Sequence, residues 1–355
     1  MSEEFRELLK KVGSGTYTSK NLTRSQAATA TRMMLLQEAT PAQIGAFMIA
    51  HRIKRPTPEE LAGILDAFDQ IGSKLEAGSH HNHQPVVLGN PYDGRARTVP
   101  VTIITALILA SADIPVVLHG GDCMPTKYGI PLVKIWQQLG VDFARFNLAQ
   151  AQSIYNQSNI GFIYLPQHFP AANNFVTFRE QIGKRPPFAT AELVWCPVLG
   201  EAHLVAGFVH PPTEERLRAT FQIRAAKNFT LIKGLEGSCD LARSRTGIIA
   251  LSKSQASFER LLLDPADYSL NGSDLAFESN AQAIALMQEV IQGDNSQLFP
   301  AAILNGGFHL WRFGLAKTLE SGFTLAEEIL TTGQVADKLT QLKTLVESQK
   351  SRVKS

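Results

Sequence analysis

Apolar positions in the first 75 residues recur at helical spacing, with no alternating run of the kind that predicts a strand. Behind Thr23, a residue suited to capping, Ala27, Ala30, Met33, Met34 and Leu36 keep roughly one face. Pro41 opens another helix, with Ile44, Phe47 and Met48 inward and His51-Arg52 at its end. Thr57-Pro58-Glu59-Glu60 is a capping box with proline at the first helical position, leading into Leu61, Ile64, Leu65 and Phe68. Residues 1–75 therefore read as a helical domain. Residues 76–85 are polar and without period, which predicts a linker. Its His80, His81 and His83 have the composition of a metal tract, but no apolar shell surrounds them, and a solvated linker is the stronger reading.

The texture changes over residues 86–350. Short apolar runs that fit buried strands lie at Pro85 to Leu88, Pro115 to Leu118, Gly161 to Leu165, His203 to Val209 and Phe229 to Lys233. Helical segments separate several of them, at Thr102 to Ser111 and Pro131 to Leu139, and the chain from Pro300 onward is helical. Strands alternating with helices predict an α/β fold, because parallel neighbours need a crossover that covers the sheet. The expected architecture is a small N-terminal helical domain plus a larger domain with a mostly parallel sheet flanked by helices.

Composition narrows the class. The chain has 355 residues with 44% hydrophobic side chains, enough for a large interior and incompatible with intrinsic disorder. A charged fraction of 19% is low and suggests that some surface is hidden, as in a dimer. Net charge is +2, so attraction to nucleic acid must come from local clustering. Three widely spaced cysteines, Cys123, Cys196 and Cys239, offer neither a disulfide framework nor a zinc pair and fit a reducing, cytoplasmic setting. The start Met-Ser-Glu-Glu-Phe-Arg has acids where a signal peptide needs bases. The apolar stretch Val99 to Leu118 holds Asp113 and Pro115, which predicts a buried helix and a strand rather than a membrane span.

In such sheets ligands gather beyond the carboxyl ends of strands. Three loops qualify. Gly89-Asn-Pro-Tyr-Asp-Gly94 has the glycines that let main-chain amides approach a phosphate, with Arg95 and Arg97 following; a tight turn would use the same residues. Leu118-His119-Gly120-Gly121-Asp122 runs on to Lys127 and clusters polar groups after a strand. Lys233-Gly-Leu-Glu-Gly-Ser-Cys-Asp240 places Glu236 and Asp240 where a divalent metal bridging phosphates would sit, against the alternative of a solvated loop. Basic residues concentrate at Arg216, Arg218, Arg224, Lys227, Lys233, Arg243 and Arg245, an excess able to track phosphates if the residues share a face. Arg179, Lys184 and Arg185 form a second basic group.

Laid out in this order, the chain resembles the anthranilate phosphoribosyltransferases and the wider glycosyltransferase family 3. The likeness is carried by Thr40-Pro-Ala-Gln-Ile-Gly-Ala-Phe-Met-Ile-Ala-His-Arg52 with Thr57-Pro-Glu-Glu-Leu61, and by Leu304-Asn-Gly-Gly307 with Ala316, Leu319, Gly322 and Ala326. It implies a nucleoside phosphorylase-like arrangement of the two domains and a homodimer formed through the helical one. It also implies a phosphoribosyl pyrophosphate site at the matching Gly89, Asp93, His119 and Gly120, with magnesium only if that ligand is bound, and Arg179 near anthranilate; Gly94, Arg95, Arg97 and Lys127, read from the loops themselves, complete the candidate phosphate-binding set.

The chemical motifs depart from the family pattern. The Gly-Thr-Gly-Gly-Asp loop falls on Gly89-Asn-Pro-Tyr-Asp93, where Pro91 removes an amide donor and Tyr92 fills the place of a glycine. The Lys-His-Gly-Asn motif falls on Leu118-His-Gly-Gly121, and the Asn-x-Ser-Thr helix start on Val99-Pro-Val-Thr102. The metal-binding Asp-Glu pair falls on Cys239-Asp240, leaving Asp240 as the metal ligand. In this it is similar to a divergent branch of these proteins associated with nucleic acid. Two readings follow. One is a dimer without the parent activity that binds single-stranded DNA or RNA, or another phosphorylated ligand, through Arg216, Arg218, Arg224, Lys227, Arg243 and Arg245. The other is an active transferase on a phosphorylated ribose, with Arg95, Arg97 and Lys127 standing in for the lost groups.

Overall fold

The computed structural model describes residues 3–15, 17–78, 83–253 and 258–352, with side chains described through residue 349. His80 and His81 lie outside the described residues.

Four helices form the N-terminal layer: α1 (Glu3–Gly13), α2 (Arg24–Leu35), α3 (Pro41–Lys54) and α4 (Pro58–Ile71). Thr23, Thr40 and Thr57 each close a full capping box, so the amides left free by each helix start are met locally. The buried face of α2 ends on Leu35, whereas Leu36, expected inward, is the C-cap and is 49% exposed. The buried carboxylate of Glu60 ties the layer together. It accepts from the Leu22 N–H (2.8 Å), the Thr57 N–H (2.7 Å) and Lys54 Nζ (2.7 Å), and lies 3.3 Å from His51 Nε2. Burial alone would raise its pKa, but His51, Lys54 and the Leu22 amide hold it at about 2.

The layer draws on a later part of the chain as well. Short helices Leu165–His168, Pro170–Asn173, Phe175–Ile182 and Phe188–Val194 return to it, and the Phe68 ring packs against Phe169, Phe188 and Trp195 at centroid distances of 5.3, 6.3 and 6.2 Å.

The strands are β1 (Leu75–Glu76), β2 (Val86–Leu88), β3 (Val116–Gly120), β4 (Ile160–Tyr164), β5 (Val198–Leu199), β6 (His203–Gly207), β7 (Phe229–Ile232), β8 (Gly247–Ser252) and β9 (Phe258–Leu263). β1 and β5 pair with each other; the other seven form one sheet in the order β4-β3-β2-β6-β7-β8-β9. The first five are parallel, in register Val87 opposite Val117 and Leu204, and β8 and β9 are antiparallel. The central strands are buried on both faces, as parallel strands covered by helices must be. Edge strand β9 exposes Glu259 and Arg260, charges that discourage pairing with another chain.

Helix α5 (Thr102–Ser111) is apolar almost all round and is buried from Thr102 through Ala110. It packs on helix Phe299–Arg312, where a Cβ on Gly306 would meet the Ile108 side chain at 2.6 Å. Among the described residues no helix is long and apolar enough to cross a membrane, and the three cysteines are free.

Candidate functional site

The carboxyl ends of β2, β3, β6 and β7 bring the three loops together. Close approach is built in: a Cβ on Gly207, at the end of β6, would lie 2.0 Å from the Ser238 carbonyl oxygen. The loop after β7 is thereby pressed onto the sheet end beside the loop after β2.

Arg95 occupies the centre. It is 3% exposed; its Nη1 donates to Asp240 Oδ2 (2.8 Å) and to Ser238 Oγ (2.8 Å), its Nε to Glu236 Oε1 (3.2 Å), and its Nη2 to Thr98 Oγ1. Asp240 also accepts from the Val101 N–H (3.1 Å) and the Thr102 hydroxyl (2.7 Å). Glu236 accepts from the successive N–H groups of Ala96 (3.2 Å), Arg97 (3.0 Å) and Thr98 (3.1 Å). Burial would raise its pKa, yet these amides, Arg95 and Lys127 hold it at about 2.

The remaining charges pair in the same manner. Lys127 Nζ lies 3.6 Å from Glu236 and 4.0 Å from Asp93, and burial lowers its pKa despite both carboxylates. Asp93 is held by Arg185, and Arg179 by Glu192, whose carboxyl is pushed up by burial with Arg179 opposing. Four cations (Arg95, Lys127, Arg179 and Arg185) thus face four carboxylates (Asp93, Glu192, Glu236 and Asp240).

The other expected contacts are turned to structural use. The Gly89 N–H donates to Val205 O (2.8 Å) and the Gly94 N–H to Pro91 O (3.0 Å), so both amides are engaged. Gly120 stays in β3, paired with β4 opposite Tyr164. His119 is buried with Nδ1 2.6 Å from the Tyr92 hydroxyl, and burial drops its pKa to about 3. Only Arg97, of the group around the first loop, keeps an exposed side chain. Asp240, expected as a metal ligand, is instead the acceptor for Arg95, Val101 and Thr102. The adjacent Cys239 thiol packs on Asn90, and burial raises its pKa.

Magnesium does not fit this donor set. A hard dication needs carboxylate oxygens free to coordinate it, and the oxygens of Asp240 and Glu236 are taken by a guanidinium, hydroxyls and main-chain amides. Among the described residues no group of three or more His, Cys, Asp or Glu side chains is placed to hold a metal.

The basic stretch also divides. Arg224 binds Asp66, Asp69 and the Ala62 carbonyl, fastening helix Pro211–Ile223 to α4. Arg243 donates to the Leu270 (2.8 Å) and Asn271 (2.9 Å) carbonyls. These two, expected as phosphate contacts, are clamps within the fold. Arg216 is half-buried, its pKa lowered by burial and by Arg55; Arg218 stacks on the Phe258 ring at 3.4 Å. Lys227, 3.5 Å from Glu201, and Arg245 are exposed. Glu192 is hard to find from sequence because it sits inside the apolar run Phe188 to Trp195; a lone acid there is its only signal.

A helical layer beside a mostly parallel sheet, with charged loops gathered at the strand ends, defines an α/β scaffold of the kind that collects its chemistry at the carboxyl ends of its strands. The chain belongs to the glycosyl transferase family: its helical bundle domain matches residues 6–72 and its a/b domain residues 93–336. An anthranilate phosphoribosyltransferase of Bradyrhizobium sp. is 28% identical over 92% of this chain and 95% of its own length. One from Afipia carboxidovorans is 27% identical over 96% and 98%. Among solved structures, the anthranilate phosphoribosyltransferase of Thermus thermophilus superposes with a TM-score of 0.79 at 17% identity, covering 98% of this chain and all of that one. The Saccharomyces cerevisiae enzyme in complex with PRPP and Mg gives a TM-score of 0.81 at 15% identity, covering 97% and 98%.

Proposed function

We propose that this chain has lost magnesium-dependent anthranilate phosphoribosyl transfer and serves as a cytoplasmic, homodimeric binder of single-stranded nucleic acid. The observation that carries the first half is Arg95, seated between Asp240 and Glu236 where a metal and a pyrophosphate would need free carboxylates and free cations. Transfer of this type passes through a transition state with a departing pyrophosphate, which depends on preorganised charge. Here that charge is neutralised from within.

Support for the second half comes from the cations that lie outside such clamps. Arg55 and Arg216 are close enough to repel, Arg218 lies against the Phe258 ring, and Lys227 and Arg245 are exposed. Cations interleaved with an aromatic face suit a backbone-tracking, stacking mode of binding. The dimer reading rests on the groove between α1 and α3, where Val12, Ala46, Ile49 and the 68% exposed Ile53 leave an apolar face. Light scattering that finds a dimer at micromolar concentration, dissociated by Ile53→Asp, supports it; a wild-type monomer contradicts it.

The names of the relatives, anthranilate phosphoribosyltransferases matching over nearly the whole chain, favour the other reading of an active transferase. The two are separated by titrating a short oligonucleotide at several salt concentrations beside an anthranilate fluorescence assay with phosphoribosyl pyrophosphate and magnesium. The proposal expects salt-dependent binding and no turnover. Turnover at the rate of an ordinary family enzyme would replace it with the second reading.

A further inference from the structure

A cavity of about 260 Å³ opens at the amino ends of β6 and β7, where the helical layer meets the sheet. The loops of the candidate site stand at the carboxyl ends of the same strands, so the two places lie at opposite ends of the sheet. Leu65 and Asp69 of α4 form one wall of the cavity, and Trp195, Leu204, Phe221 and Asn228 face it from the rest of the chain. Cys196 lines it too; burial pushes its thiol up to about 11, so at neutral pH it stays protonated and adds a soft, weakly polar surface.

Two polar groups of this wall have no partner among the described residues. Trp195 is wholly buried, and its indole N–H donates to nothing, although a buried donor normally finds an acceptor. The ring edge that carries this N–H faces the end of α4: its Cζ2, bonded to the same Cε2 as Nε1, would lie 2.5 Å from a Cβ on Gly72, one turn beyond Asp69. The half-buried Asn228 gives its main-chain carbonyl to the Leu204 N–H, while its side-chain amide, a donor beside an acceptor, makes no hydrogen bond.

The charges nearby are already matched. Arg224 is held by Asp66, Asp69 and the Ala62 carbonyl, Lys74 pairs with Asp69 at 2.6 Å, and at the rim Lys227 faces Glu201 at 3.5 Å. An uncharged guest therefore fits better than an ion. The volume lies just below the roughly 300–1,000 Å³ of pockets for drug-sized ligands, which limits the guest to about one fused pair of rings. Aromatic residues in the wall favour an aromatic guest, and an asparagine amide matches the adjacent donor and acceptor on the edge of a base such as adenine.

We propose that this cavity binds one uncharged, planar heteroaromatic base of purine size, with the Asn228 amide on its donor–acceptor edge and the Trp195 N–H on a ring nitrogen. Bound there, the base bridges α4 and the segment leading into β7, and so fastens the helical layer to the sheet. A free base carries no phosphate, so the proposal stands apart from the oligonucleotide surface, although Lys227 borders both.

Adenine titrated into the wild-type chain by calorimetry, with thermal unfolding followed in its presence and absence, tests this. Indole, of similar size but without a ring acceptor, is the comparison. The expected result is saturable adenine binding below millimolar concentration, at least about tenfold tighter than indole, with a rise in unfolding temperature. Asn228→Leu and Trp195→Phe should each weaken adenine binding by about tenfold. Asn228 stands in a loop at a half-buried position, so its variant keeps the test decisive should Trp195→Phe fold poorly. Adenine binding that is absent, matched by indole, or untouched by Asn228→Leu would overturn the proposal.

Discussion

Arg95 and Asp240 meet at 2.8 Å across the ends of β2 and β7, each almost wholly buried, at 3% and 1% exposure. A guanidinium thereby stands against a carboxylate that the family pattern assigns to metal. The pair closes the loop after β7 onto the start of α5, since the same Asp240 accepts from Val101 and Thr102.

Removing one member of this pair leaves the other charged in a dry site, which typically costs about 3–5 kcal/mol. Arg95→Met and Asp240→Leu should each lower the denaturant midpoint strongly, and the double variant should lose clearly less than the sum. Chemical denaturation of the three variants beside wild type measures the coupling; simple additivity would show that the pair is not a unit.

Acid should destabilise the fold in two stages. His119, His203 and His309 are each held neutral at a pKa of about 3, by burial first, with Arg312 adding to the effect at His203 and His309. The unfolded chain binds protons at these groups below its ordinary value of about 6.5, so stability falls as pH drops from 6.5 toward 3, at up to about 1.4 kcal/mol per pH unit for each histidine. Glu60 and Glu236, held at about 2, stabilise fully above the ordinary carboxylate range and lose that contribution as pH falls from about 4.5 toward 2. His168, its pKa also lowered by burial, adds to the first stage. Urea titrations from pH 7 to 4 measure it, and His309→Gln should reduce its slope by at most about a third. A flat profile between pH 6.5 and 5 would contradict the buried neutral histidines.

Oligonucleotide binding should depend on the surface cations and not on the clamps. Arg216→Glu with Lys227→Glu should weaken binding to unrelated sequences about equally, because phosphate contacts carry no base information. The salt slope should fall by roughly 0.7 for each phosphate that is no longer neutralised. Fluorescence anisotropy at several salt concentrations reads both quantities. An unchanged affinity and slope would remove these residues from the surface.

Much of the fold is legible in the sequence because it follows from simple patterns. The five parallel strands are short, mostly apolar runs, and Thr23, Pro41 and the Thr57 capping box announce their helices. The hairpin of β8 and β9 is not: β9 mixes Glu259 and Arg260 with Leu261 to Leu263 at a sheet edge, where one face is open to solvent. The site is legible as a place and not as a state. Arg95, Lys127, Asp93 and Asp240 do converge, but sequence does not show whether a cation at a strand end awaits a ligand or is held by a carboxylate far along the chain, as Arg95 is by Glu236 at a separation of 141 residues. Arg224 shows the same ambiguity; its spacing on a helix fits a solvated face equally well as the clamp onto Asp66 and Asp69.

Calorimetric titration of the wild-type chain with phosphoribosyl pyrophosphate in the presence of magnesium tests the internally neutralised site most directly. The predicted result is no saturable binding up to millimolar ligand, because Arg95, Lys127, Arg179 and Arg185 are already matched by Glu236, Asp240, Asp93 and Glu192. Magnesium-dependent binding in the micromolar range would show that the family's ligand displaces these pairs, and would contradict the account.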